Sequence, residues 1–252
     1  MKQLKQRGYV TPADCGGSIQ NALELAHKLD INKVVLTGEL TAAEPLVLRS
    51  GMYLVLENCT LQADLVTEQQ ENYSFRQQFI SIEGGNARLL GNIHIFNTHH
   101  ITVTGLDIQG QLTCEYTLWG NLRQLRFSQG GLRLGRGCGH FIVQQLHSRV
   151  PAYIDGSISC GKVVPGVKPE LSSIILQDSV FETDLPAVQL DAAEDCGIMN
   201  IQVDHMKASA TAVQVGNGKS LADYLFFNLT FTHLDAPNKV CYQNAAKHVY
   251  EQ

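Results

Sequence analysis

From residue 132 to 155 the chain reads LRLGRGCGHFIVQQLHSRVPAYID, and this stretch decides the fold. Leu132-Arg133-Leu134 and Ala152-Tyr153-Ile154 each set two apolar residues around one outward residue, with Phe141-Ile142-Val143 between them. Val188-Gln189-Leu190 and Val213-Gln214-Val215 repeat the first pattern. Second strands follow at Ile174-Ile175-Leu176, Ile198-Met199-Asn200-Ile201 and Tyr224-Leu225-Phe226-Phe227. Period-two alternation marks half-buried strands, and the intervening Gly, Asn and Asp mark turns. The unit starts lie 20, 36 and 25 residues apart, and the long spacing carries an insert from Ser157 to Pro169 rich in Gly, Pro and Val. Cys138-Gly139 and Cys196-Gly197 hold the same place before their second strands, as a repeat requires. Such units stack as a parallel β-solenoid, because one unit cannot bury its own apolar side. The Leu-x-x-Leu-x-Leu…Asn pattern of leucine-rich repeats is missing.

Towards the start, Val34-Val35-Leu36, Leu46-Val47-Leu48, Tyr53-Leu54-Val55-Leu56, Ile93-His94-Ile95-Phe96, Ile101-Thr102-Val103 and Leu106-Asp107-Ile108 are further short strands. Before them, Ile19, Ala22, Leu23, Ala26 and Leu29 share one helical face, with Ser18 as its cap. The expectation is an all-β, single-domain chain over 1–252: a helical cap at about 18–29, regular coils over about 33–235 and a polar C-terminal cap at 236–252. Thr67 to Gln78, with four glutamines, is expected to be an inserted loop beside the groove.

The chain is 44% hydrophobic and only 17% charged, with 22 glycines and a formal charge of -5, which excludes a disordered chain. No apolar run approaches the roughly 18 residues of a membrane helix. Mild acidity argues against nucleic acid as the main partner. The basic start from Met1 to Arg7 has no apolar stretch after it, so a cytoplasmic protein is expected; a longer chain with a leader would be secreted. The seven cysteines lack zinc-ligand spacing and read as small buried hydrophobes, and no metal or cofactor is expected.

From roughly residue 10 to 235 the sequence resembles the polygalacturonase-like glycoside hydrolases of the pectin-lyase superfamily. The resemblance is carried by Ser18-Ile19-Gln20-Asn21-Ala22, Val34-Val35-Leu36-Thr37-Gly38, Pro45 to Gly51, Asn58-Cys59-Thr60-Leu61 and Ile101 to Gln111. It implies a right-handed parallel β-helix. The acidic motifs of the family do not carry through. Its first catalytic aspartate aligns with Pro186, leaving nearby Asp184 as a substitute, and two others align with Ala210 and Thr211.

Alternation supplies a different pair. With the apolar residues inward, Arg133, Tyr153, Gln189 and Gln214 form one outward column, and Gly135, Asp155, Asp191 and Gly216 the next. Neighbouring strands lie about 4.8 Å apart, so Asp155 and Asp191 can work as acid and base or nucleophile in glycoside hydrolysis. The alternative is that both close turns by accepting backbone amides. Residues 116–169 carry seven Lys or Arg against Asp155, whereas from Glu170 onward eleven acids face four bases. That basic band, with Tyr153 and Trp119, suits an anionic glycan, with Arg133 and Lys162 holding its carboxylate and Tyr153, Gln189 and Gln214 as further substrate-binding residues. It equally suits docking onto the acidic segment of another copy. The expected function is glycosidase-like action on an acidic, uronate-containing glycan. The alternatives are a degenerate β-helix that binds glycan or serves as a scaffold, and a polysaccharide lyase with Lys162 or Arg133 as proton acceptor and a calcium ion.

Overall fold

The computed structural model describes residues 2–68, 77–216, 225–243 and 249–251. They form a right-handed parallel β-helix in which the named strands pair in parallel. Each coil has three sides. Side one runs through 33–37, 53–57, 80–84, 101–104, 120–123, 141–144, 174–177, 201–204, 229–232 and 249–251. Side two is shorter and includes 38–41, 59–62, 87–89, 106–108, 126–127, 147–148, 179–181 and 206–208. Side three runs through 46–48, 65–67, 93–96, 112–115, 131–134, 152–155, 188–191, 213–215 and 240–242. Inward residues of all three sides, such as Leu134, Ile154, Leu190, Phe141, Ile174 and Phe181, fill one axial core.

Single residues in the left-handed region turn the corners. Between sides one and two stand Asn58, Asn86, Gln124, Gln145, Asp178, His205 and His233, with φ between 46° and 57°. Asn86 Nδ2 donates to Asn58 Oδ1 at 3.1 Å, the short-amide ladder that makes this conformation tolerable. Between sides three and one the matching positions are Phe79, His100, Trp119, His140, Ser173, Asn200 and Asn228. Between sides two and three, backbones of successive coils touch at Gly91, Gly110 and Gly130. A Cβ on Gly110 would lie 2.1 Å from the Gly91 carbonyl oxygen, so only glycine fits.

The capping helix spans Ile19–Lys28 and buries Ile19, Ala22, Leu23 and Ala26 against the first coil, and Ser18 Oγ accepts from Asn21 N. A second, fully surface helix, Lys2–Arg7, precedes it. At the other end, Asn238–Tyr242 and Val249–Glu251 still pair with the preceding coil. Coils therefore continue beyond 235, because Val240-Cys241-Tyr242 keeps the side-three register. Residues 244–248 and 252 of the expected C-terminal cap lie outside the described residues, as do 69–76 of the glutamine-rich loop and Tyr224.

Candidate functional site

Side three carries the expected columns. Tyr153 is in register with Arg133 and with Gln189, and Gln189 with Gln214. Upstream the same column continues through Thr113 to His94. These residues are outward because Leu112, Leu132, Ala152, Val188 and Val213 beside them are buried. The guanidinium of Arg133 lies over the Tyr153 ring, 4.8 Å from its centroid. Its Nε is shielded from solvent and has no hydrogen-bond partner. Gln214 Nε2 donates to its own turn at Gly216 O, 2.9 Å away.

The adjacent column contains Glu115, Gly135, Asp155 and Asp191. Asp155 and Asp191 are register partners. Asp155 Oδ1 accepts from Ser157 N at 2.7 Å, so that carboxylate also closes the turn leading into the insert. Asp191 is buried. Asp184 is separate: it sits exposed in the bend before Val188–Asp191, at the opposite end of that strand from Asp191.

The insert folds back along this column towards earlier coils. Ile158 packs on Gly135, where a Cβ would stand 2.6 Å from the Ile158 carbonyl oxygen. Cys160 N then donates to Glu115 Oε2 at 2.6 Å. Lys162 Nζ lies 5.9 Å from the Phe96 ring, and Val164 is buried against Phe96 and Tyr116. The insert thus walls a cleft of about 330 Å³ lined by His94, Thr113, Glu115, Arg133, Ile158 and Cys160, among others.

Glu115, His94 and Cys160 were not foreseen as site residues. Glu115 is 2% exposed and accepts from His94 Nε2 at 2.9 Å as well as from Cys160 N. Burial pushes its carboxyl up, but the His94 hydrogen bond, the Cys160 amide and the His94 charge outweigh this and hold it below the usual carboxylate range. A signal existed: Leu112-Thr113-Cys114-Glu115 stands 20 residues before Leu132 to Gly135 and 40 before Ala152 to Asp155, in one register.

Two expectations about charge and aromatics are corrected. The basic band is axial only, because consecutive strands turn its cations onto different sides. Arg123 falls on side one, Arg126 next to side-two His147, and Arg149 just beyond side-two Ser148. Arg136 is bonded to Asp195 through both terminal nitrogens and to Gly156 O. Arg126 and His147 instead line a larger hollow on side two, with Arg88 and Asp107. Trp119 stands half exposed on a corner away from the side-three columns, stacked closely on His140 at 4.3 Å and more loosely on His100 at 6.1 Å.

Two clusters among the described residues have a metal-ligating composition: His94, Glu115 and Cys160 in the cleft, and Asp204, His205 and His233 at the corner of sides one and two.

No protein-family model and no curated protein matches the sequence. Among solved structures the chain is similar to a tailspike protein of E. coli bacteriophage HK620, with a TM-score of 0.53 and 11% identity over 100% of this chain and 68% of that one. It is also similar to PfbA, a surface adhesin of Streptococcus pneumoniae, with a TM-score of 0.47 and 9% identity over 97% of this chain and 93% of that one. A third is the A-module of a mannuronan C-5 epimerase of Azotobacter vinelandii, with a TM-score of 0.36 and 12% identity over 93% and 94%. The tailspike likeness establishes the fold, and the two below 0.5 add nothing to it.

Proposed function

We propose that this β-helix recognises an acidic oligosaccharide along side three, from the cleft lined by His94, Thr113 and Arg133 onto the outward column of Tyr153, Gln189 and Gln214. The observation that carries this reading is the Arg133–Tyr153 stack. A guanidinium already desolvated on one face and fixed over a ring loses little freedom when its remaining donors grip a carboxylate. The half-buried amides of Gln189 and Gln214, one coil apart, suit sugar hydroxyls farther along the axis.

Calorimetry with uronate-containing and neutral oligosaccharides of equal length tests the proposal. Arg133→Ala should weaken acidic-ligand binding by about tenfold or more and leave neutral ligands nearly unchanged, as the loss of a charge-assisted bond of roughly 1.5–3 kcal/mol requires. Equal binding of acidic ligand by wild type and variant would sink it.

The register of Asp155 with Asp191 supports a second reading, hydrolysis of the bound glycan. One carboxyl would protonate the glycosidic oxygen while the other deprotonates water or attacks the anomeric carbon. New reducing ends that vanish in both Asp155→Asn and Asp191→Asn would establish it. An unsaturated uronate product would indicate the lyase route instead. Binding without either product leaves recognition alone.

A further inference from the structure

His94 and Glu115 come from adjacent coils, and Cys160 reaches them from the folded-back insert. A His94 ring nitrogen, a Glu115 carboxylate oxygen and Cys160 Sγ all lie within 4.8 Å of one another, with Nε2 the nitrogen that faces Glu115. We propose that these three side chains bind one borderline-soft divalent cation, with zinc as the type, at the floor of the side-three cleft. Imidazole, thiolate and carboxylate together favour zinc or cobalt, whereas magnesium and calcium take oxygen alone. Glu115 is prepared for the role: the Cys160 amide holds Oε2, and Oε1, which now faces His94 Nε2, is the ligand atom. Metal bonds of about 2.0–2.3 Å require only a slight opening of the His94–Glu115 contact and an approach of the thiol.

Binding balances in charge and protons. The ion displaces the His94 Nε2 proton, which passes to solvent from an imidazolium or to Nδ1 of a neutral ring, and the Cys160 thiol releases its proton to solvent. Carboxylate and thiolate then neutralise the dication. Three protein ligands leave a fourth position towards the cleft, where Thr113 and Arg133 line the space. Water fills it, or an oxygen of an anionic ligand drawn by Arg133. This site goes beyond the glycan reading, and neither depends on the other.

The other cluster of similar composition lacks the geometry. His205 and His233 stack with centroids 4.2 Å apart and planes only 20° from parallel. Their ring lone pairs run side by side and cannot both point, in plane, at one ion. Both Nδ1 atoms instead hydrogen-bond Asp204, at 2.9 and 2.8 Å.

The test uses the full chain, reduced, stripped by chelator and titrated with Co²⁺, with Zn²⁺ as competitor. A saturable near-ultraviolet thiolate-to-cobalt charge-transfer band, accompanied by tetrahedral d–d bands and abolished by Zn²⁺, is expected. Cys160→Ser, on an exposed insert position, should remove the charge-transfer band without changing the circular dichroism melt. His94→Ala should weaken Co²⁺ binding by at least tenfold, and His205→Ala with His233→Ala should leave it unchanged. No charge-transfer band in wild type, or one that survives in Cys160→Ser and so belongs to another thiol such as Cys15 or Cys241, would overturn the proposal.

Discussion

Glu115 shows how one side chain reports its surroundings. Its carboxylate is buried, and His94 with the Cys160 amide keeps it ionised below the ordinary value. A depressed carboxyl adds stability above its unfolded value, here 4.5, and that increment is lost as pH falls through the folded value. The urea midpoint of wild type should therefore exceed that of Glu115→Gln at about pH 7, and the gap should narrow below about pH 4.5. A gap unchanged at about pH 3 would contradict the assigned ionisation. The Arg133–Tyr153 stack makes a second residue-scale prediction. Tyr153→Phe keeps the ring and should keep acidic-glycan affinity. Tyr153→Leu removes a cation–π contact worth roughly 0.5–2 kcal/mol and should cost several-fold in Kd by calorimetry.

The insert is an element whose existence is plain in the sequence and whose path is not. A spacing of 36 residues where 20 and 25 flank it, rich in Gly, Pro and Val, marks an excursion between coils. Its direction depends on three distant features: the bare backbone of Gly135, the acceptor on Glu115 and the hydrophobic seat for Val164 between Phe96 and Tyr116. In Gly135→Ala the new Cβ would sit 2.6 Å from a backbone oxygen, so the insert must lift. Burial first, and the Glu115 charge with it, hold the Cys160 thiol above its usual value; lifting relieves both. Reaction of Cys160 with a thiol reagent, read against a Cys160→Ser control, should accelerate several-fold in Gly135→Ala. An unchanged rate would mean that Gly135 does not seat the insert. The basic band gives a related lesson. Linear charge counts locate cations along the axis, but a residue's place in its coil decides the side, so Arg126 and Arg133 end on different sides seven residues apart.

At the scale of the whole molecule, stability is a stack of nearly identical layers around one core, each sealed by the next. Leu190, fully buried on side three, should cost about 2–5 kcal/mol when replaced by alanine, read as a lower urea midpoint. The Ile19–Lys28 helix seals one end of that stack. Leu23→Asp should loosen it, bare the edge of the first coil and produce concentration-dependent association by light scattering. By itself the sequence determined the parallel β-helix, the capping helix, the outward columns of side three and the register of Asp155 with Asp191. Alternation and repeat spacing are local patterns, and a solenoid converts sequence period directly into axial neighbours. Only the tertiary structure decided that the insert folds backward, that Arg136 is spent on Asp195, that Trp119 stacks with imidazoles at a corner, and that His94, Glu115 and Cys160 meet. The bonds from Cys160 to Glu115 and from Arg136 to Asp195 join residues 45 and 59 positions apart through irregular segments, where no period links one residue to another.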